Sequence, residues 1–122
     1  MDLFGEALMD YQKGTYTEDL ITYSSLEQED ILPLPHLFRP YEEMPFLEQE
    51  ALKLCTGKIL DVGCGAGSHS LYLQEQGFAV TALDISRGAV TTCRQRGIKN
   101  VVFSSILEYS GTKFDTILLL MN

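Results

Sequence analysis

The sequence predicts an α/β fold built on a doubly wound parallel sheet, and three observations carry that prediction. From Lys58 onward, short apolar runs alternate with amphipathic stretches of about ten residues, the pattern of strands joined by crossover helices. The run Ile59-Leu60-Asp61-Val62-Gly63-Cys64-Gly65-Ala66-Gly67 reads as a buried strand ending in an acid, then a three-glycine turn, then a helix opening near Ser68. A second acid, Asp84, closes the next apolar strand, Phe78 to Leu83.

The elements follow in order. Leu3, Phe4, Ala7, Leu8 and Tyr11 fall at helical spacing, so residues 2–12 form an amphipathic helix that Gly14 ends. Thr15 or Thr17 caps a second short helix running through Glu18 to Tyr23. Prolines 33, 35 and 40 then hold residues 31–40 out of α geometry as an extended, apolar strap that packs on the rest of the molecule. Glu42 to Cys55 is the next helix, with Leu47, Ala51, Leu54 and Cys55 on its inner face and Gly57 as its stop. Strand 59–63 leads to helix 68–76, closed by Gly77. Strand 78–84 leads to helix 86–96, closed by Gly97. Strand 100–103, a loop around Ser110-Gly111-Thr112 and strand 114–121 complete the chain. The last strand is a near-continuous apolar run, as in strands buried on both faces. Residues 1–57 therefore form a helical cap with a proline strap, and residues 58–122 a partial sheet domain, together one structural unit.

Composition limits the function. The 122 residues are 45% hydrophobic and 21% charged, a globular balance. No apolar stretch approaches the ~20 residues that span a bilayer, and Met1-Asp2-Leu3 lacks the basic start of a signal peptide, so a cytoplasmic home is expected with no membrane partner. A net charge of −8, with nine scattered Lys and Arg, argues against a nucleic-acid substrate. Cys55, Cys64 and Cys93 are unclustered, and with His36 and His69 they make no metal site.

The glycine turn and the two acids carry the chemistry. Glycine at alternate positions permits φ > 0 and lets a ligand lie against bare main chain. The helix after it presents free N–H groups to that ligand. An acid at the end of the second strand reaches the two hydroxyls of a ribose, so the unit reads as a nucleoside-binding βαβ element. Asp84 has a second reading as a helix cap, although Ser86 can take that role.

The order Asp-Val-Gly-Cys-Gly-Ala-Gly, with the acid two residues before the first glycine, resembles motif I of the class I S-adenosylmethionine-dependent methyltransferases, and Asp84 matches their ribose-binding acid. The resemblance runs from about Lys58 to Asn122. It implies a Rossmann-like sheet of strand order 3-2-1-4 and S-adenosylmethionine as cofactor. It places Asp61 near the methionine amino group, with support of the glycine loop as its other role. Gly63 and Gly65 admit the cofactor, Gly67 serves helix–sheet packing, and Cys64 contributes backbone. Ile85 packs on the adenine face. Ser105 stands where many members carry an acid for the adenine amine, a departure that removes charge assistance, and Ile106 covers the ring edge.

The family domain continues with further strands, so the chain is expected to be the cofactor-binding half of a longer enzyme, inactive by itself, with a naturally short protein as the alternative. An uncovered edge on its fourth strand then invites a homodimer or swapped oligomer. Leu120-Met121-Asn122 does not match the Asp/Asn-Pro-Pro-Tyr motif of the amino-methylating nucleic-acid enzymes. With the acidic charge, this points to a small-molecule or protein acceptor, and we favour a small molecule. No catalytic residue is legible. His69 is either close to the sulfonium or a helix-start residue with a local hydrogen bond. Arg39 pairs either with a ligand carboxylate or with Glu42 or Glu43. Two other readings compete: a methyltransferase-like binding module without chemistry, and a nicotinamide-dependent oxidoreductase fragment. The latter would need its third glycine where Ser68 stands.

Overall fold

The computed structural model describes residues 2–13, 20–23, 29–32, 37–109 and 113–120. Helix α1 spans Leu3–Lys13. Strands β1 (Leu20–Tyr23) and β2 (Glu29–Leu32) form an antiparallel pair, with Ile21 opposite Ile31. A 3-10 turn, Tyr41–Glu43, precedes helix α2, Phe46–Lys53. Then come β3 (Lys58–Val62), α3 (Ser68–Glu75), β4 (Ala79–Asp84), α4 (Arg87–Gln95), β5 (Val101–Phe103) and β6 (Thr116–Leu118).

The main sheet is parallel, in the order β5-β4-β3-β6. Numbered from the glycine-turn strand, this is 3-2-1-4, as the resemblance implies. Register puts Asp61 beside Ala82 on one side and Leu118 on the other, so all three share a face. Helices α3 and α4 cover that face. Leu73 of α3 packs with Ile59, Val80 and Leu118, and Val90 and Cys93 of α4 pack with Ala82 and Val101.

Both crossover helices stop as glycine dictates. Phe78 N–H bonds Leu73 O and Gly77 N–H bonds Gln74 O, while Ile98 and Gly97 make the same pair of bonds to Cys93 and Arg94. This double closure needs a residue with positive φ after the helix, and Gly77 and Gly97 supply it. Strand β6 is tied to β3 at its start: Asp115 accepts the Lys58 N–H, and the Thr116 hydroxyl donates to Thr56 O while accepting the Thr56 N–H.

Four expectations are corrected. Residues Leu20–Tyr23 are a strand rather than the end of a helix, because Leu-Ile-Thr-Tyr suits a pleated pair and finds one in Glu29–Leu32. The strap is not extended throughout. Leu37 has helical geometry and is buried against Leu8, Ala66 and Ala89, since each proline restricts only the residue before it and none follows Leu37 directly. The helix expected over 42–55 is broken by Pro45, which holds Met44 extended (φ −75°, ψ 148°) and starts α2 anew. Its inner face is Leu52 with Cys55, while Leu47 and Leu54 face solvent. Finally, β6 is buried on one face only: Leu118 points into the core, and Ile117 and Leu119 are exposed. Gly14 to Thr17, His36, the Ser110–Thr112 loop and Met121-Asn122 lie outside the described residues.

Candidate functional site

The site forms where the carboxyl ends of β3 and β4 meet the turns that follow them. Gly63 and Gly65 adopt φ of 69° and 57°, values that only glycine takes at low cost, and so fold the chain back over β4. The Gly63 and Cys64 N–H groups bond Leu83 O. Gly65 N–H donates to Asp84 Oδ2 (2.9 Å), and Ser86 N–H donates to Asp84 Oδ1 (2.9 Å). The Asp84 carboxylate thus holds the glycine turn and the start of α4 together. It does not cap α4. Ser86 Oγ does that by accepting the Ala89 N–H.

Five of the nine residues singled out from the sequence line one cavity of about 210 Å³: Gly63, Asp84, Ile85, Ser105 and Ile106, with Val62, Leu83 and Ser104. Ile85 is 71% exposed and Ile106 44%, so two large apolar side chains face this opening instead of the core. Ser105 Oγ accepts the Glu108 N–H at 3.3 Å, a local turn bond that leaves its proton free to be donated. A second cavity of about 620 Å³ adjoins it, sharing Asp84 and Ile85 and lined also by Asp2, Phe4, Ser86, Arg87 and Phe103. The Arg87 guanidinium lies over the Phe103 ring, 4.4 Å from its centroid.

The other singled-out residues stand behind the turn. Asp61 is buried beneath the first turn of α3 and accepts the Ser70 hydroxyl at 2.7 Å. Burial pushes its carboxyl up, while the Ser70 hydroxyl and the charge of His69 pull it back. Its hydrogen-bond partner is therefore Ser70, and the acid that accepts an N–H from the glycine turn is Asp84. Cys64 turns its thiol into the core, 3.7 Å from the Cys93 sulfur; that neighbour, together with burial, holds the Cys64 thiol protonated, so only its backbone faces the turn. Gly67 (φ 84°) starts α3, and a Cβ there would stand 2.3 Å from Ile98 Cδ1 and 2.8 Å from Cys93 Sγ.

Two charged residues have partners that the sequence did not indicate. Arg39 pairs with Glu48, not with Glu42 or Glu43. His69, fully buried, places Nε2 2.7 Å from the same Glu48 Oε1, so its partner is on α2 rather than local. Asp2 was also missed: it reaches Ser86 and Gly88, 84 and 86 residues away. An acid just before a helix is a legible cap signal, but nothing local indicates that longer reach. Among the described residues there is no group of three His, Cys, Asp or Glu side chains that could hold a metal, and no helix is long and apolar enough to cross a membrane.

Residues 59–121, more than half of the chain, match the family model of a methyltransferase domain. The chain belongs to the methyltransferase-domain family. Its fold is similar to that of an S-adenosylmethionine-dependent methyltransferase from Bacteroides fragilis solved in complex with S-adenosyl-L-homocysteine, with a TM-score of 0.91 and 42% identity over 99% of this chain and 51% of that one. A curated relative, the ubiquinone biosynthesis O-methyltransferase of Rickettsia conorii, is 30% identical over 88% of this chain and 41% of its own length. The ribosomal RNA small subunit methyltransferase C of Alcanivorax borkumensis is 41% identical over 44 residues, 36% of this chain and 14% of that protein. This methyltransferase-domain chain thus spans about half the length of the solved relative and less of the curated ones.

Proposed function

We propose that this chain is the cofactor-binding half of an S-adenosylmethionine-dependent methyltransferase acting on a small-molecule acceptor. The observation that carries the reading is the Asp84 carboxylate. Each of its oxygens accepts one backbone N–H, and it borders both cavities, beside Ile85 in each and Gly63 in the smaller. A carboxylate has about four acceptor positions, so lone pairs remain for the two ribose hydroxyls while the N–H bonds fix its aim. The apolar Ile85 and Ile106 suit the faces of an adenine, and the Ser105 hydroxyl suits its edge. Gly63 brings bare main chain to the ligand, Gly65 holds Asp84 through its N–H, and Asp61 stands behind the turn on the side we assign to the methionine end.

When bound, the cofactor supplies an electrophilic methyl group on a sulfonium. The task of these residues is to bind and orient it, because an in-line displacement gains most from alignment and from a water-poor site. None is assigned a covalent role. The acceptor reading rests on the charge of −8 and on the quinone-pathway relative. The similarity to the ribosomal RNA enzyme covers only 44 residues, a length that suits a shared cofactor core rather than a shared acceptor. Turnover by these 122 residues alone is not expected, and pairing of two copies along β6, an outermost strand of the main sheet among the described residues, belongs to the same proposal.

The test is isothermal titration of the chain with S-adenosylmethionine, S-adenosylhomocysteine and NAD. Micromolar binding of the two adenosyl-sulfur ligands with none of NAD is the expected result. Binding of NAD in their place would turn the reading toward hydride transfer.

A further inference from the structure

Asp2 stands just before α1, yet its carboxylate joins three elements. Oδ1 accepts the Gly5 N–H at 3.0 Å, which caps α1. The Ser86 hydroxyl lies 2.9 Å from Oδ1 and 2.8 Å from Oδ2, so its single proton is shared between them. Oδ2 also accepts the Gly88 N–H of α4 at 2.9 Å. Burial alone would raise this carboxyl, but the Gly88 N–H, the Ser86 hydroxyl and the Gly5 N–H outweigh it and hold Asp2 below its ordinary value. Ser86 then passes the contact on, because its own N–H donates to Asp84 Oδ1.

The approach of the two helices is built for this contact. A Cβ on Gly88 would stand 2.3 Å from the backbone of Gly5, and one on Gly5 would stand 2.2 Å from Asp2 Oδ2 and 2.6 Å from Ser86 Oγ. Only glycine at both positions lets α1 lie close enough for Asp2 to reach α4. Asp2 and Phe4 also form one wall of the larger cavity that Asp84 borders.

We infer that Asp2 is a positioning residue for the ribose-binding carboxylate: by holding Ser86, it fixes the aim of Asp84 and makes the N-terminal helix part of the cofactor site. The inference rests on the reading of Asp84 given above. The competing account is that Asp2 merely anchors α1 to the fold.

Two variants separate these accounts. Asp2→Asn keeps the size of the side chain but offers one acceptor oxygen in place of two, and Gly88→Ala forces α1 away without touching Asp2. In the ligand-free chain, amide hydrogen exchange is expected to speed about tenfold at Gly65 and Ser86, the two donors to Asp84, while Leu73 and Val80 in the core keep their rates. Affinity for S-adenosylhomocysteine and for 5′-methylthioadenosine, which lacks the methionine end, is expected to fall by the same factor, about tenfold. Unchanged exchange at Gly65 and Ser86, equal acceleration throughout the core, or undiminished affinity would each overturn the inference. If the unaltered chain binds neither ligand, the cofactor reading fails, and the exchange rates still decide whether Asp2 positions Asp84.

Discussion

The Gly65 N–H donates to Asp84 Oδ2 at 2.9 Å, a bond across 19 residues that ties the turn after β3 to the end of β4. One side chain therefore shapes the glycine turn and faces the cavity that the turn borders. Replacing Asp84 by Asn leaves a side chain of the same size but removes the charge and one acceptor. Hydrogen bonds to a charged group are worth about 1.5–3 kcal/mol, so S-adenosylhomocysteine is expected to bind about 10- to 100-fold more weakly. Titration calorimetry checks this. Full affinity together with a lowered Tm would show that Asp84 serves the loop alone.

Asp61 is expected to trade stability for binding. Its folded carboxyl is raised above the ordinary value of 3.8 by burial, so the folded chain holds the proton more tightly than the unfolded one. The resulting cost is absent below about pH 4 and grows as pH rises toward the folded value. It is complete above that value. Asp61→Asn keeps an acceptor for the Ser70 hydroxyl and removes the buried charge, so at pH 7 we expect a gain on the order of 1 kcal/mol, about 4 °C in Tm. That gain should shrink toward zero at pH 4, with weaker binding of S-adenosylmethionine at both. A Tm difference independent of pH would contradict the buried-charge account.

Glu48 joins α2 to the segment before it and to α3, because Arg39 and the buried His69 share one of its oxygens. Removing Glu48 leaves the part-buried Arg39 and the buried His69 without the oxygen they share. Glu48→Ala is therefore expected to cost about 2 kcal/mol in urea unfolding, and Glu48→Gln, which keeps an acceptor oxygen, distinctly less. Equal losses for the two variants would mean that the contact is packing rather than charge.

Much of the site was legible because its residues announce themselves locally. Three glycines in alternation, an acid at the end of each of two apolar strands and a serine two residues after the second acid are patterns of backbone geometry and capping. The structure keeps Gly63, Asp84, Ile85, Ser105 and Ile106 around one cavity. Pro45 was equally legible as a break. The helical spacing around it hid its effect, and with it the residues that are buried there, Leu52 of α2 and Cys55 just after it. Leu20–Tyr23 misled for another reason: a threonine cap ahead of a short apolar run suits either element, and only the partner strand decides.

By itself, the sequence determined the order of elements from Lys58 onward, the glycine turn and the acid that faces it. Each of these is set by a φ restriction, a hydrophobic period or a cap acting within a few residues. The tertiary structure alone decided which acid takes which donor. Asp61 turned to Ser70 and Asp84 to Gly65 and Ser86; Glu48 took Arg39 and His69, and Asp2 took Ser86 and Gly88. Most of those choices join residues far apart in the chain, and hydrogen bonding at such range follows from how helices and strands pack, which no local period encodes.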